Sequence, residues 1–474
     1  MKTPTRLARS ALGLALAIIS GCSQGTKPPP QSVAPTAPAK SEPAAATATE
    51  ASSPSTGWRS IASLPEAAMD ASPQQQLVYR MEVVSHPLEA PVALTVDEAA
   101  SSGPSPALPK PTLIHLFFGT SRQPAPASLS KPDKHPRYYG NDWRINSLEY
   151  GVCWVTMPTD KELPPGEIEG STWFWFDLPD NPREDVWMQP PSRFGGPSEF
   201  SAALVQDIRK RPDRSVLIGV HGFHNTFEFA GRRLAKMVHD MNYHGTPVLY
   251  SWPAGEGIED YGHDEDLVAQ PAEIDNFAGF LDLVIATAQE AGARRVHLVA
   301  HSMGNRLLQH AAFRLGKLYA DSRRTPPLDT VVLAAPDIPR RGFAETIWPR
   351  LTNFTQHCAL YVSAYDRALF GSEKIHRSGP RLGQAGEVPL VLAGLETIDS
   401  SRLKNTFLHH DDHLRLAGIC DLSACLVRSM SPAERVMRGL LQRPGNPPNA
   451  AWYELLPGDG SDCLRQIGPE SALP

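Results

Sequence analysis

Three short apolar runs constrain this chain more than any other feature: Ser215–Val220, Pro247–Trp252 and Arg295–Ala300. Runs of this length without polar alternation read as strands buried on both faces. The segments between and after them carry a helical period. Ala230, Leu234, Met237 and Met241 share one face, then Ile274, Phe277, Leu281 and Val284, then Leu308, Ala311, Leu315 and Leu318. Thr330–Ala335 and Ala359–Ala364 continue the strand series, with a last strand near Leu395–Asp399. Strands alternating with helices at this spacing build βαβ units. The expected fold class is therefore α/β, a mostly parallel central sheet with helices on both faces. Proline draws the same boundary. Of 46 prolines, 28 lie in the first 200 residues, whereas residues 201–320 hold only Pro212, Pro247, Pro253 and Pro271. Proline removes a backbone donor and breaks central strands and helix interiors, so the poor window is where regular structure belongs.

The chain's beginning has a different purpose. Ala11–Ile19 is apolar but far short of the ~20 residues that span a bilayer. It follows Lys2, Arg6 and Arg9 and ends in Ile19-Ser20-Gly21-Cys22, the layout of a secretory signal. That tetrapeptide resembles a bacterial lipobox, which implies cleavage before Cys22 and lipidation of its thiol. Ser23 rather than Asp follows, and by resemblance to sorted bacterial lipoproteins this favours the outer membrane, facing the periplasm or the surface. The expected organisation is a signal peptide over 1–21 and a Pro/Ala/Ser tether over 22–56, too poor in apolar residues to order itself. A weakly structured extension over 57–112 includes a strand candidate at Leu77–Val84. The globular domain spans 113–443, and an irregular tail covers 444–474. Near its end, Ser431-Pro432-Ala433-Glu434 is a capping box that starts a helix running to about Gln442. Cys420 and Cys425 are candidates to pair in an oxidising compartment, while Cys153 and Cys358 sit in apolar runs as buried hydrophobes. A net charge of −6 with 20% charged residues gives no electrostatic footprint for nucleic acid.

In open α/β sheets ligands bind beyond the carboxyl ends of the strands. After the third run stands Ala300-His301-Ser302-Met303-Gly304. A nucleophilic serine needs a sharp strand-to-helix turn with small residues two positions to either side, and Ala300 and Gly304 meet that need. Ser302 is the expected nucleophile. Acyl transfer also needs donors aimed at the developing oxyanion. The Met303 N–H is one; the Phe223 N–H, in His221-Gly222-Phe223 at the end of the first run, is the second. His221 precedes the nucleophile and reads as a structural hydrogen-bonder. The carboxylate that orients the base is expected in Asp366, just after a strand, with Asp337 as the competitor. The base is expected in Leu408-His409-His410-Asp411-Asp412-His413: His410 first, then His409 or His413. His409 and His413 also stand at i, i+4, a metal-binding spacing, but no supporting ligand set appears elsewhere; no metal or organic cofactor is expected.

These motifs together resemble a known family. Val220-His221-Gly222-Phe223, Ser251-Trp252-Pro253, Tyr261 with Asp264, Val299–Arg306 and Leu333-Ala334-Ala335-Pro336-Asp337 are similar to those of bacterial alpha/beta hydrolases of the domain-of-unknown-function 900 group. Upstream, Phe118-Gly119-Thr120-Ser121-Arg122 and Leu148–Val152 resemble that group's N-terminal segment. The resemblance covers roughly residues 113–440 and implies an alpha/beta-hydrolase fold and an esterase-like serine activity. It departs at the histidine, where relatives usually carry a Gly-His pair and this chain has Leu408-His409-His410-Asp411. The expected function is a lipid-anchored envelope serine hydrolase acting on a small-molecule or lipid ester through a covalent acyl-enzyme. Amidase or transacylase chemistry would use the same residues. The alternative is an envelope scaffold that keeps the fold with little turnover. Residues 253–270 and 158–200 are the candidate rim of the site.

Overall fold

A computed structural model describes residues 112–131, 134–160, 162–168, 181–320, 325–377, 379–403, 409–445 and 451–458. The chain divides into two units, Met1–Gly57 and Trp58–Pro474, and every described residue lies in the second. The expected signal peptide and tether, with Cys22, and the strand candidate at Leu77–Val84 fall outside the described residues.

The chain first makes β1 (Leu113–Thr120), β2 (Arg122–Pro124), β3 (Tyr139–Trp143), β4 (Glu149–Thr156), β5 (Trp187–Met188) and β6 (Ser192–Arg193). Helix α1 (Pro197–Lys210) leads into β7 (Ser215–Val220), α2 (Phe227–Asp240) and β8 (Thr246–Ser251). Then come α3 (Tyr261–Val268), α4 (Pro271–Ala291), β9 (Arg295–His301), α5 (Gly304–Ala320) and β10 (Leu328–Ala334). The last part holds β11 (Thr355–Val362), α6 (Arg367–His376), β12 (Leu395–Asp399), α7 (Leu416–Leu422), α8 (Pro432–Met437), β13 (Leu441–Gln442) and β14 (Tyr453–Leu455).

One twelve-stranded sheet runs β13-β14-β12-β11-β10-β9-β7-β8-β1-β4-β5, with β6 also on β4. From β1 through β8, β7, β9, β10, β11 and β12 every neighbouring pair is parallel, and antiparallel pairs stand at the two margins. The fold is that of an alpha/beta hydrolase. Alternation along each strand divides the core between the faces. Val216, Ile218 and Val220 join Phe200 of α1, Phe277 and Leu281 of α4, and Leu307 and Leu308 of α5 on one side. Leu217, Leu249 and Val299 meet Phe227, Leu234 and Val238 of α2 and Ile419 of α7 on the other.

The chain's end differs from expectation. Helix α8 stops at Met437 rather than near Gln442, because Gly439 turns the backbone to φ +72° and Leu441–Gln442 enters the sheet. Tyr453–Leu455, expected to be irregular, pairs parallel with β12 and antiparallel with β13. Nor do Cys420 and Cys425 pair: Cys420 is disulfide-bonded and Cys425 is a free thiol. Five residues along a helical path carry the two side chains into different clusters, Cys420 with Met430 and Leu440, Cys425 with Ile398 and Leu441. Cys153 and Cys358 are buried free thiols, and burial pushes both well above the ordinary thiol range.

Candidate active site

The strand-to-helix turn after β9 is strained as a nucleophile elbow requires. Ser302 adopts φ +51°, a left-handed conformation rare for a residue with a side chain. Its neighbours hold it there. The Ser302 N–H donates to Ala334 O at 2.9 Å, the Asp337 N–H donates to Ser302 O at 3.2 Å, and Asn305 Nδ2 donates to Ala300 O at 2.9 Å. The small residues are steric necessities. A Cβ on Gly304 would stand 2.5 Å from His221 O, and one on Gly222 would stand 2.8 Å from Ser302 Cβ. The loop after β7 thus lies directly against the serine.

That loop carries Phe223, and the Met303 N–H opens α5, where first-turn amides have no helical acceptor. Among the described residues neither the Phe223 nor the Met303 N–H is given to a backbone acceptor. The loop is fixed from behind. Asn225 Nδ2 donates to Phe223 O at 2.7 Å and Gly222 O at 3.3 Å. His221 Nδ1 donates to Gly222 O at 2.9 Å, its Nε2 lies 3.1 Å from Ser251 Oγ, and the ring stacks on Trp252. Burial, with help from the Arg122 charge, pulls His221 down to about 3, so it stays neutral and structural.

Across the elbow, Asp366 and His410 come together. His410 Nδ1 lies 2.7 Å from Asp366 Oδ2; the carboxylate is buried and the ring nearly so. Burial alone would discharge the ring. The adjacent Asp366 carboxylate outweighs it, with Asp411 and Asp337 adding to the effect, and His410 is raised to about 9. The ring stands beside that of His301, the residue before Ser302, with centroids 4.9 Å apart.

The competing residues are engaged elsewhere. Asp337 is 2% exposed and sits in a polar knot. Tyr261 Oη donates to its Oδ2 at 2.6 Å, Ser372 Oγ to its Oδ1 at 2.5 Å, and Arg306 and Arg381 stand 3.3 and 3.2 Å away. Though burial opposes charge, these two guanidinium groups hold Asp337 below the usual carboxylate range. His413 is buried against Tyr361 and His301, and burial pushes it well below the ordinary imidazole range. His409 adopts φ +55° and packs against Tyr365. Although His409 and His413 are spaced i, i+4 in sequence, they do not share a helix, since a bend at 409–411 precedes a short 3-10 turn. Among the described residues no group of three or more His, Cys, Asp or Glu side chains is placed to hold a metal ion.

Three sets of contacts could not be read from the motifs. His301 Nε2 approaches Asp411 Oδ1 at 3.2 Å without hydrogen-bond alignment, and Asp411 Oδ2 accepts from Arg233 Nη1 at 3.1 Å. Burial works to raise Asp411, but Arg233 and His301 outweigh it and hold the carboxyl well below its usual range. Arg306 donates to Asp337 O and Tyr261 Oη and pairs with Glu265, while Tyr261 packs edge-on to Phe223. So α3, inside the expected rim 253–270, braces the loop. Arg122, from the N-terminal segment, reaches the back of the same loop.

Residues 197–428 match a family described as alpha/beta hydrolase of unknown function (DUF900). No curated protein and no solved structure matches the chain.

Proposed function

We propose that this chain is a serine hydrolase of esterase type, in keeping with the match of residues 197–428 to alpha/beta hydrolases of unknown function. Ser302 attacks a carbonyl carbon while His410 Nε2 takes the Oγ proton. Asp366 receives the Nδ1–H and keeps the imidazole in the correct tautomer. The Phe223 and Met303 N–H groups donate to the carbonyl oxygen as negative charge forms on it. His410 then returns the proton to the leaving oxygen, the acyl group stays on Ser302, and water attacks the acyl-enzyme by the same route. One observation carries this reading: the 2.7 Å Asp366–His410 contact, with the His410 ring 4.9 Å from that of His301, the residue before a serine held at φ +51°.

Turnover of short-chain nitrophenyl esters tests it. Saturable hydrolysis by the wild type and a fall of about a thousandfold or more in Ser302→Ala support the reading. Equal rates in the two proteins contradict it and favour a scaffold that keeps the fold.

The same proposal puts the enzyme in the cell envelope, held to the outer membrane through lipidated Cys22, on the strength of Ile19-Ser20-Gly21-Cys22 and the Pro/Ala/Ser stretch that follows. Radiolabelled palmitate incorporation that disappears in Cys22→Ser supports the anchor; unchanged incorporation in that variant overturns it.

A further inference from the structure

Arg122 is fully buried, yet each of its acceptors is neutral. Nε donates to Ser251 Oγ at 3.0 Å, Nη1 to Gly140 O at 3.1 Å and Asn141 Oδ1 at 3.3 Å, and Nη2 to Asn225 O at 2.6 Å. Among the described residues no carboxylate comes within ion-pair distance of it. The chain's other deeply buried arginines behave differently: Arg306 and Arg381 meet Asp337, and Arg435 meets Asp421 and Glu396. Taking a cation out of water without a directly paired carboxylate is costly, and the charges of Glu228, Asp264 and Glu256 act on it only from beyond ion-pair distance, so a fold that keeps it there has a use for the charge.

Its bonds say where the charge acts. Asn225, whose carbonyl receives Nη2, is the residue whose side chain holds the Gly222 and Phe223 carbonyls. Ser251 Oγ, which receives Nε, is also the partner of His221 Nε2, and His221 in turn holds Gly222 O. Two of the four bonds therefore end on the loop that presents the Phe223 N–H, directly or through one group.

Resting on the serine-hydrolase reading, we propose that Arg122 is a positioning residue for the oxyanion hole: it locks the 221–225 loop and sets a permanent positive charge behind it. In a medium of low dielectric that charge favours the anionic tetrahedral species over the neutral ester, so the gain is confined to the transition state. Burial lowers Arg122 to about 10, against the raising effect of Glu228, which leaves it charged at neutral pH. The residue precedes the 197–428 match, so the hydrolase domain depends on a group outside that segment.

The test uses the full chain, with nitrophenyl butyrate as substrate and phenylboronic acid as a probe that forms an anionic tetrahedral adduct on serine. In Arg122→Gln, kcat falls roughly tenfold to a hundredfold, boronate affinity falls by a similar factor, and KM stays close to wild type. Arg122→Lys, which restores the charge, recovers a large part of the boronate affinity. Folded Arg122→Gln with unchanged kcat and boronate affinity overturns the proposal, as do equal losses in the folded Gln and Lys variants. Should Arg122→Gln not fold, Asn225→Ala keeps the arginine and cuts the relay; kcat and boronate affinity fall together there, and unchanged values overturn the proposal. A wild type that neither turns over the ester nor binds the boronate defeats the hydrolase reading itself, and this proposal with it.

Discussion

Asp366 divides its two oxygens between a helix and an imidazole: Oδ1 caps α6 by accepting the Leu369 N–H at 2.9 Å, and Oδ2 meets His410 Nδ1 at 2.7 Å. An N-cap carboxylate has a fixed direction, because the first turn of the helix holds it. The helix therefore aims the acid at the imidazole, and the orientation is present before substrate arrives.

This pairing sets the pH dependence. His410 is raised to about 9, and a general base must be neutral. As pH rises through about 9 the ring loses its proton, so kcat/KM climbs through that range and is low near neutrality. The sign for stability is opposite. The folded state holds this proton more tightly than an unfolded histidine of pKa ~6.5, so the stabilisation is full below ~6.5 and is lost as pH rises through the folded value. Asp366→Asn lets burial prevail, which moves the limb to lower pH, while the plateau falls by about 10⁴ because the tautomer is no longer fixed. A pH profile of kcat/KM for both proteins checks this; a wild-type limb near 6.5, or one that Asp366→Asn leaves in place, contradicts it.

The three neighbouring histidines separate by substitution. His410→Ala loses about a thousandfold or more in kcat/KM. His409→Asn, chosen because asparagine tolerates the positive φ at that position, stays within a few-fold of wild type. His413→Leu, in an already neutral and buried position, changes stability more than rate. Ester turnover beside thermal melts makes the comparison, and a near-normal rate in His410→Ala removes it from the mechanism.

Away from the site, Arg435 ties the end of the chain to the sheet. Its guanidinium is wholly buried, donates to Asp421 Oδ2 at 2.9 Å and pairs with Glu396; Tyr361 Oη donates to the same Asp421 oxygen at 2.6 Å. Arg435→Met leaves buried carboxylates without a cation and costs about 3–5 kcal/mol of stability. Denaturant unfolding reads that loss, and in the fraction that remains folded the esterase rate per molecule is unchanged. A melt equal to wild type contradicts this role.

What could be read in the sequence follows the range of the interactions. The sheet's centre was legible because a buried strand writes its burial into six consecutive residues, as Ser215–Val220 does. The elbow was legible for the same reason, since its steric demands fall on Ala300 and Gly304, within two residues of Ser302. Asp366 could be ranked above Asp337 only by its place after a strand. The decisive difference is the set of partners each carboxylate meets, and Asp337's come from Tyr261, Arg306, Ser372 and Arg381. Arg122 stands in the Phe118–Arg122 motif, but its bond to the 221–225 loop was not legible there, nor was the Arg233–Asp411 bond. Their partners lie 103 and 178 residues away, and nothing local marks a charge that only the tertiary fold buries. The β14 strand was hidden behind Pro444, Pro447 and Pro448, since three residues are too few to show a strand period.

Covalent labelling of the folded chain with a fluorophosphonate, followed by peptide mapping, tests most directly whether Ser302 is the nucleophile. One equivalent of label is expected on Ser302, none in Ser302→Ala, and much slower labelling in His410→Ala. A folded wild type that takes no label, or carries it on another serine, contradicts that role.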